Sequence, residues 1–217
     1  MENGLPMGDD AFVADTTTKP ETDTATRILD AAERLVQIRG FNGFSYADVA
    51  EELGVTKASL HYHFAGKAEL GEALITRYAA RFAESLAKIA TRPSDAKAKL
   101  DAYAKLYADV LRDDQRMCLC GMLAAEYQTL PKRMQDAVLE FFDDNEEWLR
   151  GILEQGQREG TLRFTGPPAD AARMIVSGLE GAMLVARSYG DVSRFRTAAT
   201  RLMTSLTDPA PKTSPSR

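Results

Sequence analysis

The sequence predicts an all-α fold, an N-terminal three-helix domain followed by a helical bundle, with about nine helices in all. Three observations carry this. From about residue 26 to 206, nearly every segment places apolar residues three and four apart, the period of a helix with one buried face. No hairpin dipeptide stands between alternating runs, and no stretch sustains the alternation of a strand. Glycines and prolines fall at the ends of the periodic segments, where they stop helices.

The first helix, about 26–39, puts Ile28, Leu29, Ala32, Leu35 and Val36 on one stripe and stops at Gly40. The second, about 46–53, follows Ser45, with Asp48 placed to complete a capping box, and ends at Gly54. The third, about 57–63, is short and has Thr56 as its cap. The fourth, about 67–90, carries Leu70, Leu74, Tyr78, Phe82, Leu86 and Ile89. Pro93 then breaks the chain. Helix five spans about 95–112 with Leu100, Tyr103, Tyr107 and Val110, and helix six about 117–129, ending near Pro131. Helix seven is long, about 132–158, with Met134, Val138, Phe141, Trp148 and Ile152, and closes at Gly160. After "FTGPP", helix eight runs over about 168–188; after "YGDV", helix nine runs over about 193–206.

The 217 residues, 44% apolar and 27% charged, have the composition of a soluble globule large enough for a substantial core. No apolar run is long enough to span a bilayer, and the N-terminus lacks the basic flank and apolar core of a signal peptide, so the chain reads as cytoplasmic with no membrane partner. The two cysteines are too few for a disulfide scaffold. Residues 1–25 hold six acids against Lys19 and so account for the whole net charge of −5. They read as a disordered acidic arm, and residues 208–217, rich in proline and serine, as a flexible tail. Between them, residues 26–72 and 73–207 form two expected helical domains.

Ala50, Gly54 and Leu60 carry the packing pattern of two short helices joined by a tight turn. Ala50 lets the next helix approach, Gly54 accepts the positive φ of a sharp turn, and Val49, Leu53, Val55 and Leu60 fill the space between. From Leu53 to Ala68 there is no acidic side chain to repel phosphates. Thr56, Lys57 and Ser59 begin the third helix, where base edges are read, whereas Ser45, Tyr62, His63 and Lys67 suit the phosphate backbone. The alternative is a short surface helix with no partner. His61 and His63 lie about 200° apart around a helix and do not share a metal ion. No metal or cofactor site is expected.

The stretch "TRILDAAERLVQIRGFNGFSYADVAEELGVTKASLHYHFAGKAEL" resembles the DNA-binding region of the TetR family of bacterial repressors, over residues 26–75 almost without gaps. The resemblance implies an all-helical homodimer that binds double-stranded operator DNA and releases it when the second domain takes up a small molecule. It puts Thr56, Lys57, Ala58, Ser59 and His61 where the family faces bases. It puts Ser45, Tyr46, Tyr62, His63 and Lys67 where the family grips phosphates. The pair Ser45–Tyr46 departs from the family's more usual threonine and smaller residue, but keeps the hydroxyl.

Beyond Pro93, "CLCGMLAAE" looks like a segment found in TetR-like regulators that answer to reactive electrophiles or small unsaturated acids. Cys118, near the start of helix six and close to Arg116, has the setting in which a helix dipole lowers a thiol pKa and makes a sensor. The alternative is that Cys118 and Cys120 are both small buried hydrophobes, a common fate of free thiols. Tyr103, Tyr107, Met122, Tyr127, Phe141, Trp148, Met174 and Met183 are candidates to line an effector pocket, each of them also an ordinary packing residue. Glu126 and Glu180 interrupt apolar runs, to orient a ligand or to face solvent. Gly178 and Gly181 in helix eight, with Phe195, Leu202 and Leu206 in helix nine, suggest a homodimer joined through a four-helix bundle. The competing reading is a small cysteine-dependent enzyme. It lacks an obvious base, because both histidines lie in the third helix, and the chain is expected not to be an enzyme.

Overall fold

The computed structural model describes residues 23–207. The elements are α1 (Thr24–Arg39), α2 (Tyr46–Leu53), α3 (Lys57–His63), α4 (Lys67–Ala90), α5 (Ala96–Arg112), α6 (Leu119–Ala125), a 3-10 turn (Tyr127–Thr129), α7 (Lys132–Glu159), α8 (Pro168–Ser188) and α9 (Val192–Thr204). No strand occurs among the described residues. The tail at 208–217 and all but the last three residues of the acidic arm lie outside the described residues. Those last three, 23–25, cap and open α1.

Helix ends follow local chemistry. Ser45 and Asp48 close a capping box on α2, Thr56 caps α3, and Asp95 accepts the Ala98 amide at 2.8 Å to start α5. Helix six is shorter than the sequence suggests. Glu126 leaves helical geometry, and the chain turns through Tyr127–Thr129 before Pro131. The periodic pattern runs on through this turn, which is why spacing alone merges the two pieces.

Helices α1, α2 and α3 make a compact head. Ile28, Ala32, Val36, Val49 and Leu60 are fully buried at its centre. Helix α4 runs unbroken from head to bundle, so the expected boundary at 72/73 falls inside a continuous helix. At the junction, Gly71 leaves no room for a side chain. A Cβ there would stand 2.5 Å from Met134 Sδ on α7 and 2.9 Å from the Phe41 ring of the head. In the bundle, α7 packs along α8 and α8 along α9, with α5 against α7, α8 and α9. One apolar cluster extends without a gap from Ile28 to Leu206.

Gly178 and Gly181 part ways. A Cβ at Gly178 would lie 2.9 Å from Leu202 Cδ2, so α9 of the same chain uses that space, while Gly181 has nothing within 4 Å. The outer face of α8 exposes Met174, Leu184 and Val185, with Tyr189 just beyond its end. No described helix is long and apolar enough to cross a membrane.

Candidate DNA-binding face and effector core

The turn between α2 and α3 is set by Gly54, whose φ of 66° and ψ of 33° are left-handed. The Val55 amide donates to the Ala50 carbonyl at 3.0 Å and closes the turn. Thr56 Oγ1 then accepts the Ser59 amide at 3.2 Å. Leu60 is wholly buried and anchors α3 to the head. With its inner face fixed, α3 presents Thr56, Lys57, Ala58, His61 and Tyr62 to solvent, while Ser59 and His63 are half-buried.

Several residues assigned to phosphates on sequence grounds are engaged inside the head. The Tyr46 hydroxyl donates to the Phe64 carbonyl at 3.0 Å, and its ring lies 4.8 Å from that of His61. Burial, then the charge of Glu69, pushes the Tyr46 pKa up to about 12. The Lys67 ammonium donates to the Phe44 carbonyl at 2.5 Å and sits 4.3 and 4.6 Å from the Phe44 and Phe41 ring centroids. Burial lowers its pKa. Ser45 Oγ accepts the Ala47 amide at 3.2 Å and donates to Asp48 Oδ2 at 2.6 Å, and these bonds from Ser45 hold Asp48 below the usual carboxylate range. Ser45, Tyr46 and Lys67, expected at phosphates, each also commit polar atoms to the scaffold around α3.

Other residues remain uncommitted. Lys57 joins no ion pair among the described residues, whereas Arg34 and Arg39 are paired with Glu52 and Asp48. Tyr62 is 86% exposed, and its ring meets that of His63 edge to face at 5.2 Å. His61 Nδ1 donates to the Ala65 carbonyl at 3.1 Å, and Nε2 has no hydrogen-bond partner among the described residues. Between α3 and the start of α2, a hollow of about 420 Å³ is edged by Ser45, Ala47, Lys57 and His61.

The bundle gathers four of the predicted pocket residues. Trp148 stacks on Tyr103 at 5.6 Å, Tyr107 lies 5.5 Å from Tyr103, and Phe82 meets Tyr103, Tyr107 and Phe141 at 6.1, 6.1 and 5.3 Å. The Tyr103 hydroxyl donates to Asn145 Oδ1 at 3.2 Å and lies 3.0 Å from that of Tyr107, a wholly buried relay. Met183 is buried, its sulfur accepting the Cys118 amide at 3.4 Å. Three candidates fall elsewhere. The Met122 sulfur meets Arg187 at 3.3 Å, Tyr127 belongs to the 3-10 turn, and Met174 faces solvent. Asn145, which relays the tyrosine hydroxyls, carries no signal in the apolar spacing that could have found it.

Cys118 and Cys120 are free, buried thiols. Burial, followed by the charge of Glu180, pushes both pKa values well up. The expected lowering of Cys118 by the helix dipole is overturned, because loss of water outweighs a seven-residue helix. Protonated and enclosed, neither thiol is a ready nucleophile. Glu180 comes from α8 into the same region. Both its oxygens are shut off from solvent and meet no nitrogen or hydroxyl donor among the described residues, and burial, opposed by the Cys118 thiol, raises its pKa to about 7.

Glu126 has a different place. Its carboxylate accepts the amides of Phe41 at 2.5 Å and Asn42 at 3.3 Å, in the loop after α1. Gly40, with φ of 82°, makes this possible, since a Cβ there would stand 2.8 Å from Glu126 Oε1. Nearby, the Met117 amide donates to the Gln37 carbonyl at 3.2 Å, Asn42 Nδ2 to Thr129 Oγ1 at 2.8 Å, and Arg187 to the Ile38 carbonyl. The α6 region thus ties the bundle to the end of α1.

Two family descriptions match the chain: bacterial regulatory proteins, tetR family, over residues 28–74, and tetracyclin repressor-like, C-terminal domain, over 96–202. A TetR-family transcriptional regulator of known structure from Agrobacterium tumefaciens is 31% identical, with a TM-score of 0.82, covering 85% of this chain and 97% of that one. A TetR transcriptional regulator from Legionella pneumophila is 32% identical, with a TM-score of 0.79, covering 87% and 100%. The HTH-type transcriptional regulator TtgR of Pseudomonas putida is 44% identical over 59 residues, a match spanning 27% of this chain and only 28% of that relative's length.

Proposed function

We infer that this chain, which belongs to the TetR family of bacterial regulatory proteins, is a ligand-responsive DNA-binding transcriptional regulator that represses as a homodimer on a two-fold-symmetric operator. The observation that carries the reading is the division of labour around α3. Ser45, Tyr46 and Lys67 are spent on the frame, and Lys57 and Tyr62 stand exposed on an acid-free helix. Such a helix suits the major groove, with Thr56, Lys57, Ala58, Ser59 and His61 toward base edges and Tyr62 and His63 toward phosphates.

One seven-residue helix makes too few contacts for specific binding, and two related by a dyad supply the rest. The exposed apolar side chains Met174, Leu184 and Val185 on α8 support pairing through α8 and α9. The effector is a small molecule taken up by the aromatic core. Its arrival favours an arrangement in which the two α3 helices no longer fit successive grooves, and Glu126 on the Phe41 and Asn42 amides is the link that carries the change. Such work is done where the DNA is, in the cytoplasm.

The test is DNA binding by a Lys57→Ala, Tyr62→Ala variant on the fragment upstream of the protein's own gene. Affinity is expected to fall by about a hundredfold or more, with the sedimentation coefficient of the dimer unchanged. Equal affinity of variant and parent would defeat the assignment.

A further inference from the structure

A carboxylate sealed into a protein normally has donors around it, because leaving it bare is costly. Glu180 has none. Among the described residues no nitrogen or hydroxyl donor reaches either of its oxygens, and both are closed to solvent. The carboxylate lies against α6 at Gly121, where a Cβ would come within 2.2 Å of Oε2, so a larger residue would push it away. No lysine or arginine contributes to its electrostatic setting, in which only the Cys118 thiol offsets the loss of water. Its charge reaches Tyr78, Tyr103, Tyr107, Cys118 and Cys120, five groups that are neutral in their buried setting. Around those tyrosines stand the rings of Phe82, Phe141 and Trp148.

A bare carboxylate beside a nest of aromatic rings is short of one thing, a positive charge that carries little water. We propose that Glu180 is the recognition group of the effector site and that the effector is an organic cation, an alkyl- or aryl-ammonium or an amidinium. Its charge pairs with the carboxylate and its hydrocarbon body packs on the rings, which attract cations through their faces. An anionic effector would be repelled, and a neutral one would leave the carboxylate uncompensated. This rests on the ligand-responsive reading above and names its ligand class. Occupation of the site bears directly on α6 through Gly121, and the residue that follows α6 is Glu126, which holds the Phe41 and Asn42 amides.

The experiment needs no DNA, so its outcome is separate from that of the operator test. The full chain is titrated with benzyltrimethylammonium, neopentylbenzene (its uncharged shape-mate) and benzoate, reading Trp148 emission and thermal midpoint. The cation is expected to bind saturably and raise the midpoint, with affinity falling about tenfold per pH unit as pH drops below about 7, where Glu180 takes up its proton. Glu180→Gln, which keeps the shape, is expected to lose at least about tenfold in affinity and its pH dependence, while retaining native Trp148 emission. Equal binding of neopentylbenzene, undiminished binding by Glu180→Gln, or no saturable binding of the cation would each overturn the proposal.

Discussion

The head and the bundle treat buried polar groups differently. Around α3, Ser45 is matched by Asp48, Thr56 by the Ser59 amide, Tyr46 by the Phe64 carbonyl and Lys67 by the Phe44 carbonyl. In the bundle, Tyr103, Tyr107 and Asn145 satisfy one another, but Glu180 next to them is left bare. A region whose job is to hold one shape against DNA gains from closed hydrogen bonds, since each removes a way to deform. A region whose job is to change on taking up a ligand gains from a group that the empty protein does not satisfy.

The contrast can be sharpened first by cutting into the head. Leu60→Ala empties a fully buried site and should cost about 3 kcal/mol in urea unfolding. One continuous apolar cluster joins head and bundle, so Trp148 should report the same loss. A head that melts while Trp148 emission holds would show two independent units.

The next effect belongs to Glu180. Its pKa is higher in the folded chain than its ordinary value of 4.5, so the stability it contributes is complete below pH 4.5 and is lost as pH rises through about 7. Between pH 5 and 8 that loss is about 2.5 kcal/mol, a slope that Glu180→Gln should remove. Identical pH profiles for parent and variant in chemical denaturation would show the carboxylate to be as well satisfied as those of the head.

The smallest effect is Thr56→Ala, which removes the α3 cap and should lower stability by about 1 kcal/mol, independent of pH from 5 to 8. An unchanged urea midpoint would mean that α3 is held by tertiary packing alone.

How much can be read in advance depends on the distance over which each feature is decided. The bounds of α2 and α3 and the start of α8 follow from residues at or beside their ends: the Ser45–Asp48 box, Gly54, Thr56, Pro168. The bonds made by Tyr46 and Lys67 escape such reading because the carbonyls they reach lie 18 and 23 residues away. Spacing puts Cys118 near the start of α6, where it is found, yet its chemistry is set by burial and by Glu180 on another helix.

The sequence by itself determined the all-helical class, the turn at Gly54, the acid-free third helix and the family, because period, caps and local charge act over a few residues. Only the tertiary structure decided which polar groups are spent and which are left over. Solvent exclusion and hydrogen bonding depend on what distant helices bring to the same point, and Glu180 against Gly121 is the case that matters most here.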